Sequence, residues 1–177
     1  DTASKDGNKH DATAVTYFAY NRFDQHPVLI LDWEIVQIEG ALLEEWLPSV
    51  FTKLDNFSSV CGARLGSQGV FIEDKASGTI LLQQAARKGM LARPIESPLV
   101  NAGKTARAVS VSSYVYNGKV KLTENAYNKR ETYKGRERNH LVFQVVNFRA
   151  GMDNKTDDLI DTFCYGIALA LGNHEAY

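Results

Sequence analysis

Residues 69–95 read GVFIEDKASGTILLQQAARKGMLARPI, and this stretch decides the fold class. Gly69 to Asp74 is a short apolar run that ends in two acids, which predicts a buried strand. Ser77 can cap a helix from Gly78 to Lys88, and Met90 to Ile95 again favours a strand. A strand, a helix and a second strand in succession are typical of an α/β sheet.

The rest of the chain extends this alternation. Two β-rich runs, Thr13 to Tyr20 and Val28 to Ile38, predict a hairpin. Apolar residues recur at helical intervals from Ala41 to Leu54, where Pro48 predicts a kink. We therefore expect one α/β domain over residues 1–177, with a mixed central sheet flanked by helices. The other predicted elements are a helix Asn101 to Tyr114, a strand Val120 to Thr123, a surface loop or hairpin Asn125 to Asn139, an unassigned segment His140 to Phe148 and a helix Asp157 to Leu171.

Composition and charge are those of an ordinary globular domain. The chain has 177 residues, of which 44% are hydrophobic, and its formal net charge is −1. Because this charge gives no global positive field, any nucleic-acid contact must come from a local basic patch. Cys61 and Cys164 lack metal-binding spacing and favour a reducing compartment. The apolar run near Ile167 to Leu171 is far shorter than the roughly 20 residues of a membrane span, so we expect neither membrane insertion nor secretion.

Carboxylates stand at three places where a folded chain could gather them. Magnesium and manganese prefer oxygen ligands, and one carboxylate rarely suffices to hold them. The acids of FIEDKASG would lie at the carboxyl edge of a sheet, where functional sites tend to form. The acids of TDDLID share the first turn of a helix, where complementing the helix dipole explains them equally well. The candidate metal ligands are Asp1, Glu73 or Asp74, Asp157, Asp158 and Asp161.

Basic residues are concentrated in two places. Lys104 and Arg107 lie three residues apart on one helix face, and each is either solvated or in contact with a phosphate. The stretch Lys129 to Arg138 holds five basic residues against two acidic ones. Cations beside an acidic pocket would offset repulsion between carboxylates and DNA, although a solvated loop explains this stretch nearly as well. The candidate DNA-binding residues are Lys104, Arg107, Lys129, Arg130, Lys134, Arg136 and Arg138.

Other catalytic patterns are missing from the sequence. Gly103-Lys104-Thr105 matches the end of a phosphate-binding loop, but Pro98 stands where that loop requires glycine, so we expect no nucleotide site. The sequence has no GxSxG nucleophile pattern. Zinc-site spacing is absent among the four histidines, which are His10, His26, His140 and His174.

Four segments, taken in order, resemble one protein family across nearly the whole chain. DTASKDGNKHDATAV, IEDKASGTILLQ, the Lys-Thr-Ala-Arg-Ala segment at 104–108 and TDDLIDTFCYG look like the nuclease domain of the large terminase subunit of tailed bacteriophages. The resemblance implies a ribonuclease H-like fold and an endonuclease that cuts concatemeric double-stranded viral DNA during genome packaging. It implies Asp1, Glu73 and Asp158 as catalytic acids that hold two Mg2+ or Mn2+ ions, with Asp157 and Asp161 in support.

The resemblance also implies a place and partners for the chain. Asp1-Thr2-Ala3 reads as the end of a strand, so we expect a fragment of a longer protein whose ATPase motor domain is absent here. The full protein would act in the host cell cytoplasm with the ATPase domain, the portal and the small terminase subunit, and the isolated domain would be monomeric. The alternatives are another ribonuclease H-like nuclease of junction resolvase or integrase type, or a non-catalytic portal-docking module.

Overall fold

The computed structural model describes residues 12–38, 42–75, 77–152 and 157–172. Helices and strands alternate within these ranges, which confirms the predicted α/β class. The described residues divide into two compact units, one that contains residues 12–13 and those described between 37 and 100, and one that contains residues 14–36 and those described between 101 and 172. The single domain expected from the sequence stays a prediction. In chain order the elements are β1 (Thr13–Tyr20), β2 (Val28–Val36), α1 (Leu43–Val60), β3 (Val70–Ile72), α2 (Ser77–Arg87), β4 (Ala92–Pro94), α3 (Ser97–Asn101), α4 (Gly103–Tyr116), β5 (Val120–Leu122), α5 (Glu124–Asn128), β6 (Glu131–Tyr133), β7 (Arg136–Arg138), α6 (His140–Asn147) and α7 (Asp158–Leu171).

The first unit is built on the strand-helix-strand segment predicted from residues 69–95. β3 and β4 pair in parallel, with Val70 opposite Ala92. α2 connects them, as a parallel pair requires, because parallel strands need a long crossover. Apolar side chains of α1, β3 and α2 form the core of this unit, and its buried members are Leu43, Leu47, Ile72, Leu81 and Ala85.

Helix α1 is longer than the sequence predicts. The apolar periodicity ends at Leu54, but the helix continues to Val60 and contains Pro48. Because Pro48 lies near the start of the helix, its missing N–H removes only the bond to the carbonyl of Glu44. Main-chain bonds close the far end, where the Cys61 N–H donates to the Phe57 carbonyl at 2.9 Å. The last residues of α1 are mostly polar, so apolar periodicity cannot locate the end of this helix.

The second unit contains a three-stranded sheet in the order β1-β2-β5. β1 and β2 are hydrogen-bonded neighbours, as the predicted hairpin requires, and β2 runs parallel to β5 with Val28 opposite Val120. α7 packs against β2 and against helices α4 and α6. Trp33 of β2 and Leu159 of α7 are fully buried, so the core of this unit lies between the sheet and α7.

Smaller differences from the predicted elements have local causes. The helix expected from Asn101 to Tyr114 is α4, which begins at Gly103, where φ is +77°, and a separate short helix, α3, precedes it. The unassigned segment at 140–148 is helix α6, and the Asn139 side chain caps it by accepting from the Val142 N–H at 2.9 Å. Within the described ranges, no helix is both long enough and apolar enough to cross a bilayer.

Candidate functional site

The first turn of α7 holds three carboxylates, and two of them are buried. Asp158 and Asp161 are 2% and 5% exposed, respectively, and Asp157 precedes the helix at its N-cap position. The apolar residues that alternate with these acids bury α7, and the acids are carried inward with it. A buried carboxylate is costly unless it is paired and hydrogen-bonded, so this turn requires counter-charges.

Helix α4 supplies those counter-charges. The buried guanidinium of Arg107 donates from Nη2 to Asp161 Oδ1 at 2.5 Å. Lys104 Nζ donates to Asp157 Oδ1 at 2.8 Å and lies 3.1 Å from Asp161 Oδ2. Both oxygens of Asp161 therefore face a cation. The sequence predicted that Lys104 and Arg107 are either solvated or in contact with a phosphate, whereas the structure turns both residues toward the acids of α7.

The two cations differ in how firmly they are held. The Arg107 side chain is 4% exposed, and its guanidinium lies 4.0 Å from the ring centroid of Tyr165 in a cation–π contact. The Lys104 side chain is 45% exposed. An arginine fork stacked on a ring is fixed in place, but a lysine ammonium on a flexible stem that opens to solvent is not.

Burial and local charges together shift two pKa values in this cluster. Burial alone lowers the pKa of Lys104, but the hydrogen bond to Asp157 and the charges of Asp161 and Asp157 outweigh it and raise the pKa above its ordinary value. Lys104 is therefore fully charged at neutral pH. Burial, with the charge of Asp161, raises the pKa of the Cys164 thiol to about 12. Cys164 therefore stays protonated and is a poor nucleophile.

Gln144 fixes the start of α7 from the neighbouring helix α6. Its Oε1 accepts from the N–H groups of Leu159 at 2.8 Å and Ile160 at 3.1 Å. These N–H groups have no partner inside the helix, and α7 has no side-chain cap of its own, so Gln144 takes that role. Sequence reasoning missed this residue because a glutamine in an apolar helix gives no spacing signal.

Glu73 and Asp74 lie in the first unit, immediately after β3. Glu73 is partly buried and pairs with Lys75 at 3.3 Å. Asp74 is exposed and accepts a hydrogen bond from Thr79 Oγ1 at 2.7 Å, which ties it to the first turn of α2. A Cβ on Gly78 would lie 2.0 Å from the Glu73 carbonyl oxygen, so only glycine permits this close approach of α2 to the acid.

Residues 131–138 form a hairpin, which is one of the two structures predicted for Asn125 to Asn139, but the start of that segment belongs to helix α5 (Glu124–Asn128). β6 and β7 pair antiparallel with Tyr133 opposite Arg136, and the two-residue turn between them has positive φ at Lys134 and Gly135. Positive φ at both positions is the geometry of a tight hairpin turn. The predicted basic segment is therefore a defined β-ribbon.

His140 attaches this hairpin to the rest of the second unit. Its Nε2 lies 2.9 Å from the Glu131 carbonyl and 3.1 Å from the Arg136 carbonyl, one on each strand. Carbonyls only accept, so Nε2 carries the proton and donates to both. The ring meets Trp33 and Tyr133 edge-on. Burial, reinforced by the charge of Arg138, lowers the pKa of His140 despite these carbonyls, which keeps it neutral at pH 7.

The five cations of the hairpin region have unequal surroundings. Lys129 is turned inward, with Nζ 3.0 Å from Asp32 Oδ1 and 2.6 Å from the Trp33 carbonyl. Arg138 is partly buried and stacks on Phe143, with its guanidinium carbon 3.8 Å from the ring centroid. Arg130, Lys134 and Arg136 are exposed. Only these last three present an open cationic surface.

No family model, curated protein or solved structure matches this chain.

The predicted metal ligands are distributed over different parts of the molecule. Asp157, Asp158 and Asp161 are gathered at one helix turn in the second unit, Glu73 lies in the first unit, and Asp1 falls outside the described residues. Among the residues that the structure describes, no group of three or more His, Cys, Asp or Glu side chains is arranged to hold a metal ion. The acids of α7 therefore do not make a metal site by themselves.

Proposed function

We propose that this chain is the nuclease domain of a viral genome-packaging protein, with a ribonuclease H-like fold, that cuts concatemeric double-stranded DNA with Mg2+ or Mn2+. The observation that supports the proposal best is the burial of Asp158 and Asp161 in the first turn of α7. It adds to the resemblance between four segments of the sequence and the terminase nuclease family.

Burial is the informative property of these acids. A carboxylate gains from the helix dipole while it remains in water, so the dipole explains the position of the acids but not their burial. Two buried carboxylates beside two cations of α4 form a concentrated charge cluster, which is more typical of a functional site than of a solvated helix end. The cluster also lies in the same unit as the exposed cations of the hairpin.

The donor chemistry of the proposed site suits a hard divalent cation. The acids that the resemblance implies as ligands, Asp1, Glu73 and Asp158, all offer carboxylate oxygens. A bound ion would supply an activated water to attack the phosphodiester bond. The chain itself would contribute Asp161 and Arg107 to fix the first turn of α7.

Cleavage of supercoiled plasmid in the presence of Mn2+ tests the proposal. We expect nicked and linear products from the wild type, and rates reduced on the order of a hundredfold or more in Glu73→Gln and Asp158→Asn. Asp55→Asn, which changes an exposed acid of α1, is the matched control and should cleave like the wild type. Undiminished cleavage by both active-site variants would sink the assignment. Competition among duplex, four-way junction and RNA–DNA hybrid would reveal a resolvase-type or hybrid-specific relative.

A second candidate is a non-catalytic docking module, such as one that binds a portal. It is favoured by the pairing of Asp161, because Arg107 and Lys104 neutralise this acid without any metal. The two functions differ in their response to ions. A nuclease should gain thermal stability from Mn2+, since a ligand that binds only the folded state stabilises it, whereas the docking module should melt at an unchanged temperature.

A further inference from the structure

We propose that two neighbouring connections of the second unit bind single-stranded nucleic acid by stacking its bases on exposed aromatic rings. One connection joins β1 to β2 and the other joins α4 to β5. With their flanking residues they span 20–27 and 116–121, and we call these two segments together the aromatic platform. The platform contains none of the acids of the proposed nuclease site, so this binding goes beyond the proposed function.

Hydrogen bonds join the two segments into one surface. The Nδ1 of His26 donates to the Gly118 carbonyl at 2.6 Å, because a carbonyl can only accept. The Val28 N–H, at the start of β2, donates to the Lys119 carbonyl at 3.1 Å. His26 and Gly118 are 92 residues apart in the chain, so the fold alone makes the two segments neighbours.

The loop between β1 and β2 is fixed in shape by its own hydrogen bonds. The Asn21 N–H donates to the Pro27 carbonyl at 2.9 Å and closes the loop. Within it, the Asn21 side chain accepts from the Phe23 N–H at 3.1 Å, and the Asp24 side chain accepts from the His26 N–H at 2.8 Å. A loop that is already ordered loses little conformational freedom when a ligand binds, which favours affinity.

Exposed aromatic side chains are concentrated on this surface. Five Phe, Tyr or Trp side chains are exposed among the described residues, and three of them belong to the platform, namely Tyr20, Phe23 and Tyr116. Phe23 is 83% exposed and Tyr116 is 91% exposed. A single exposed apolar side chain is ordinary, but several on joined segments mark an interaction surface.

Three exposed cations accompany these rings. They are Arg22, Lys119 and Lys121. The guanidinium carbon of Arg22 lies 4.6 Å from the ring centroid of Phe23, and a Cβ on Gly118 would lie 4.0 Å from Lys121 Nζ. Over the part of the chain that the structure describes, none of the three pairs with an acid. Their charges are therefore available to phosphate groups.

The charge of the aromatic platform suits a polyanion. Its two segments hold three cations and one acid, Asp24, which gives a net charge of +2 with histidine neutral. Asp24 is engaged inside the loop by the His26 N–H. A second copy of the chain would place the same cations opposite one another across a symmetric interface, so charge disfavours self-association through this surface.

The rings decide which polyanion fits. Bases stack on aromatic side chains with little regard to sequence, and arginine guanidinium groups add to such stacks. Arg22 and Phe23 already form a pair of this kind, and the exposure of Phe23 leaves most of its ring open to a base. In a duplex each base is covered by its neighbours, so only an unpaired base can stack on Phe23 or Tyr116.

Fluorescence anisotropy with a labelled oligothymidylate of about 12 nucleotides, a length within the site sizes of single-strand binders, tests the platform. EDTA in the buffer prevents metal-dependent cleavage. Phe23→Ala and Tyr116→Ala should each weaken binding about tenfold, since each removes one base stack. Phe23→Trp keeps a ring and should bind like the wild type. Leu65→Ala removes an apolar side chain that is 82% exposed in the first unit, and this matched control should also bind like the wild type.

Two further comparisons separate stacking from charge. The double variant Arg22→Gln with Lys119→Gln should reduce the magnitude of the salt slope by about 1.4, which corresponds to two phosphate contacts on a single strand. A labelled duplex of the same length should bind Phe23→Ala as it binds the wild type, because its base faces are already stacked. Oligouridylate should compete as well as oligothymidylate, because the platform contacts base faces and phosphates rather than the sugar.

A second measurement uses the wild type alone and does not depend on the folding of a variant. Photochemical cross-linking with an oligonucleotide that contains 5-iodouracil attaches the base to an aromatic side chain on which it stacks. Peptide mass spectrometry then locates the attachment. We expect cross-links at Phe23 and Tyr116.

The outcomes separate this proposal from the others. Wild-type affinity for oligothymidylate in both Phe23→Ala and Tyr116→Ala, or cross-links confined to residues 130–136 of the hairpin, would overturn the platform. A loss of duplex affinity equal to the loss of single-strand affinity would overturn it as well. If the alanine variants instead abolished self-association in sedimentation velocity, the surface would be an interface between copies of the chain. Because every binding arm is measured without metal, none of these results decides the nuclease proposal, which plasmid cleavage tests separately.

Discussion

Two basic regions of the second unit, the α4 pair and the β6–β7 hairpin, look alike in sequence and differ in the fold. Lys104 and Arg107 of α4 face the acids of α7, and Arg107 is buried. The hairpin instead leaves Arg130, Lys134 and Arg136 exposed. For both regions the sequence left the same two alternatives, a solvated surface or a phosphate contact, yet the α4 cations are paired inside the protein and the three hairpin cations are exposed.

The difference shows what decides the role of a basic residue. The acids that pair with Lys104 and Arg107 lie 53 and 54 residues away in the sequence, so no local charge count can find them. The hairpin carries its own acids, Glu131 and Glu137, which are exposed and do not draw its tip cations inward. A cation is available to DNA only when the fold leaves it without a buried acid to neutralise.

Removal of the buried cation of α4, Arg107, should have the largest effect on stability. Arg107→Met keeps most of the side-chain volume but leaves Asp161 buried without its main partner, which typically costs about 3–5 kcal/mol. We expect the lower end of this range because Lys104 still faces one oxygen of Asp161. Urea unfolding followed by circular dichroism measures the loss.

Arg136→Met on the hairpin is the matched control for Arg107→Met. Arg136 is exposed and faces solvent, so its loss should change the unfolding free energy by no more than about 0.5 kcal/mol. Equal losses in the two variants would erase the distinction between the regions, since they would show that burial of the α4 cation does not matter.

The elements of the fold could largely be predicted from the sequence, and the pairings of the site could not. The strand-helix-strand segment at 69–95 follows from apolar runs and their lengths, which are local signals. The gathering of three acids at one turn also follows from helical spacing at 157–161. The Arg107–Asp161 pair and the cap by Gln144 join distant segments, and only the packing of α4 and α6 on α7 creates them.

Substitutions in the exposed hairpin should change the affinity for DNA, whereas substitutions in α4 should change the stability of the fold. Each phosphate contact adds about 0.9 to the magnitude of the slope of log affinity against log salt for duplex DNA. Simultaneous Arg130→Gln, Lys134→Gln and Arg136→Gln should therefore reduce the salt slope by about 2.7 and weaken duplex binding at low salt. Fluorescence anisotropy with a labelled duplex across a salt series gives both values.

Lys129→Met is the control that sharpens this prediction. Lys129 belongs to the same basic stretch, but its ammonium is held by Asp32 and the Trp33 carbonyl. The substitution should lower stability and leave the salt slope unchanged. If Lys129→Met reduced the slope as much as a single tip substitution does, exposure would not be the property that selects DNA-contacting cations.

His140, which anchors the hairpin, should make the smallest contribution to stability, and this contribution should depend on pH. Burial lowers the pKa of His140 in the folded protein, whereas the unfolded chain restores a value of about 6.5. A depressed folded pKa means that the unfolded state binds the proton more readily. The stabilisation is therefore complete above pH 6.5 and declines as the pH falls toward the folded pKa, with a slope of at most about 1.4 kcal/mol per pH unit.

His140→Gln isolates this contribution, because glutamine retains a donor for the hairpin carbonyls and cannot titrate. Urea unfolding at pH 5.5, 6.5 and 7.5 should show wild-type stability falling toward pH 5.5 more steeply than that of His140→Gln. Parallel profiles would mean that His140 is protonated as easily in the fold as in the unfolded chain. The group that attaches the hairpin would then tolerate a charge. The two regions would no longer differ in this respect, because the α4 region depends on a buried charge and the hairpin was expected to depend on a neutral ring.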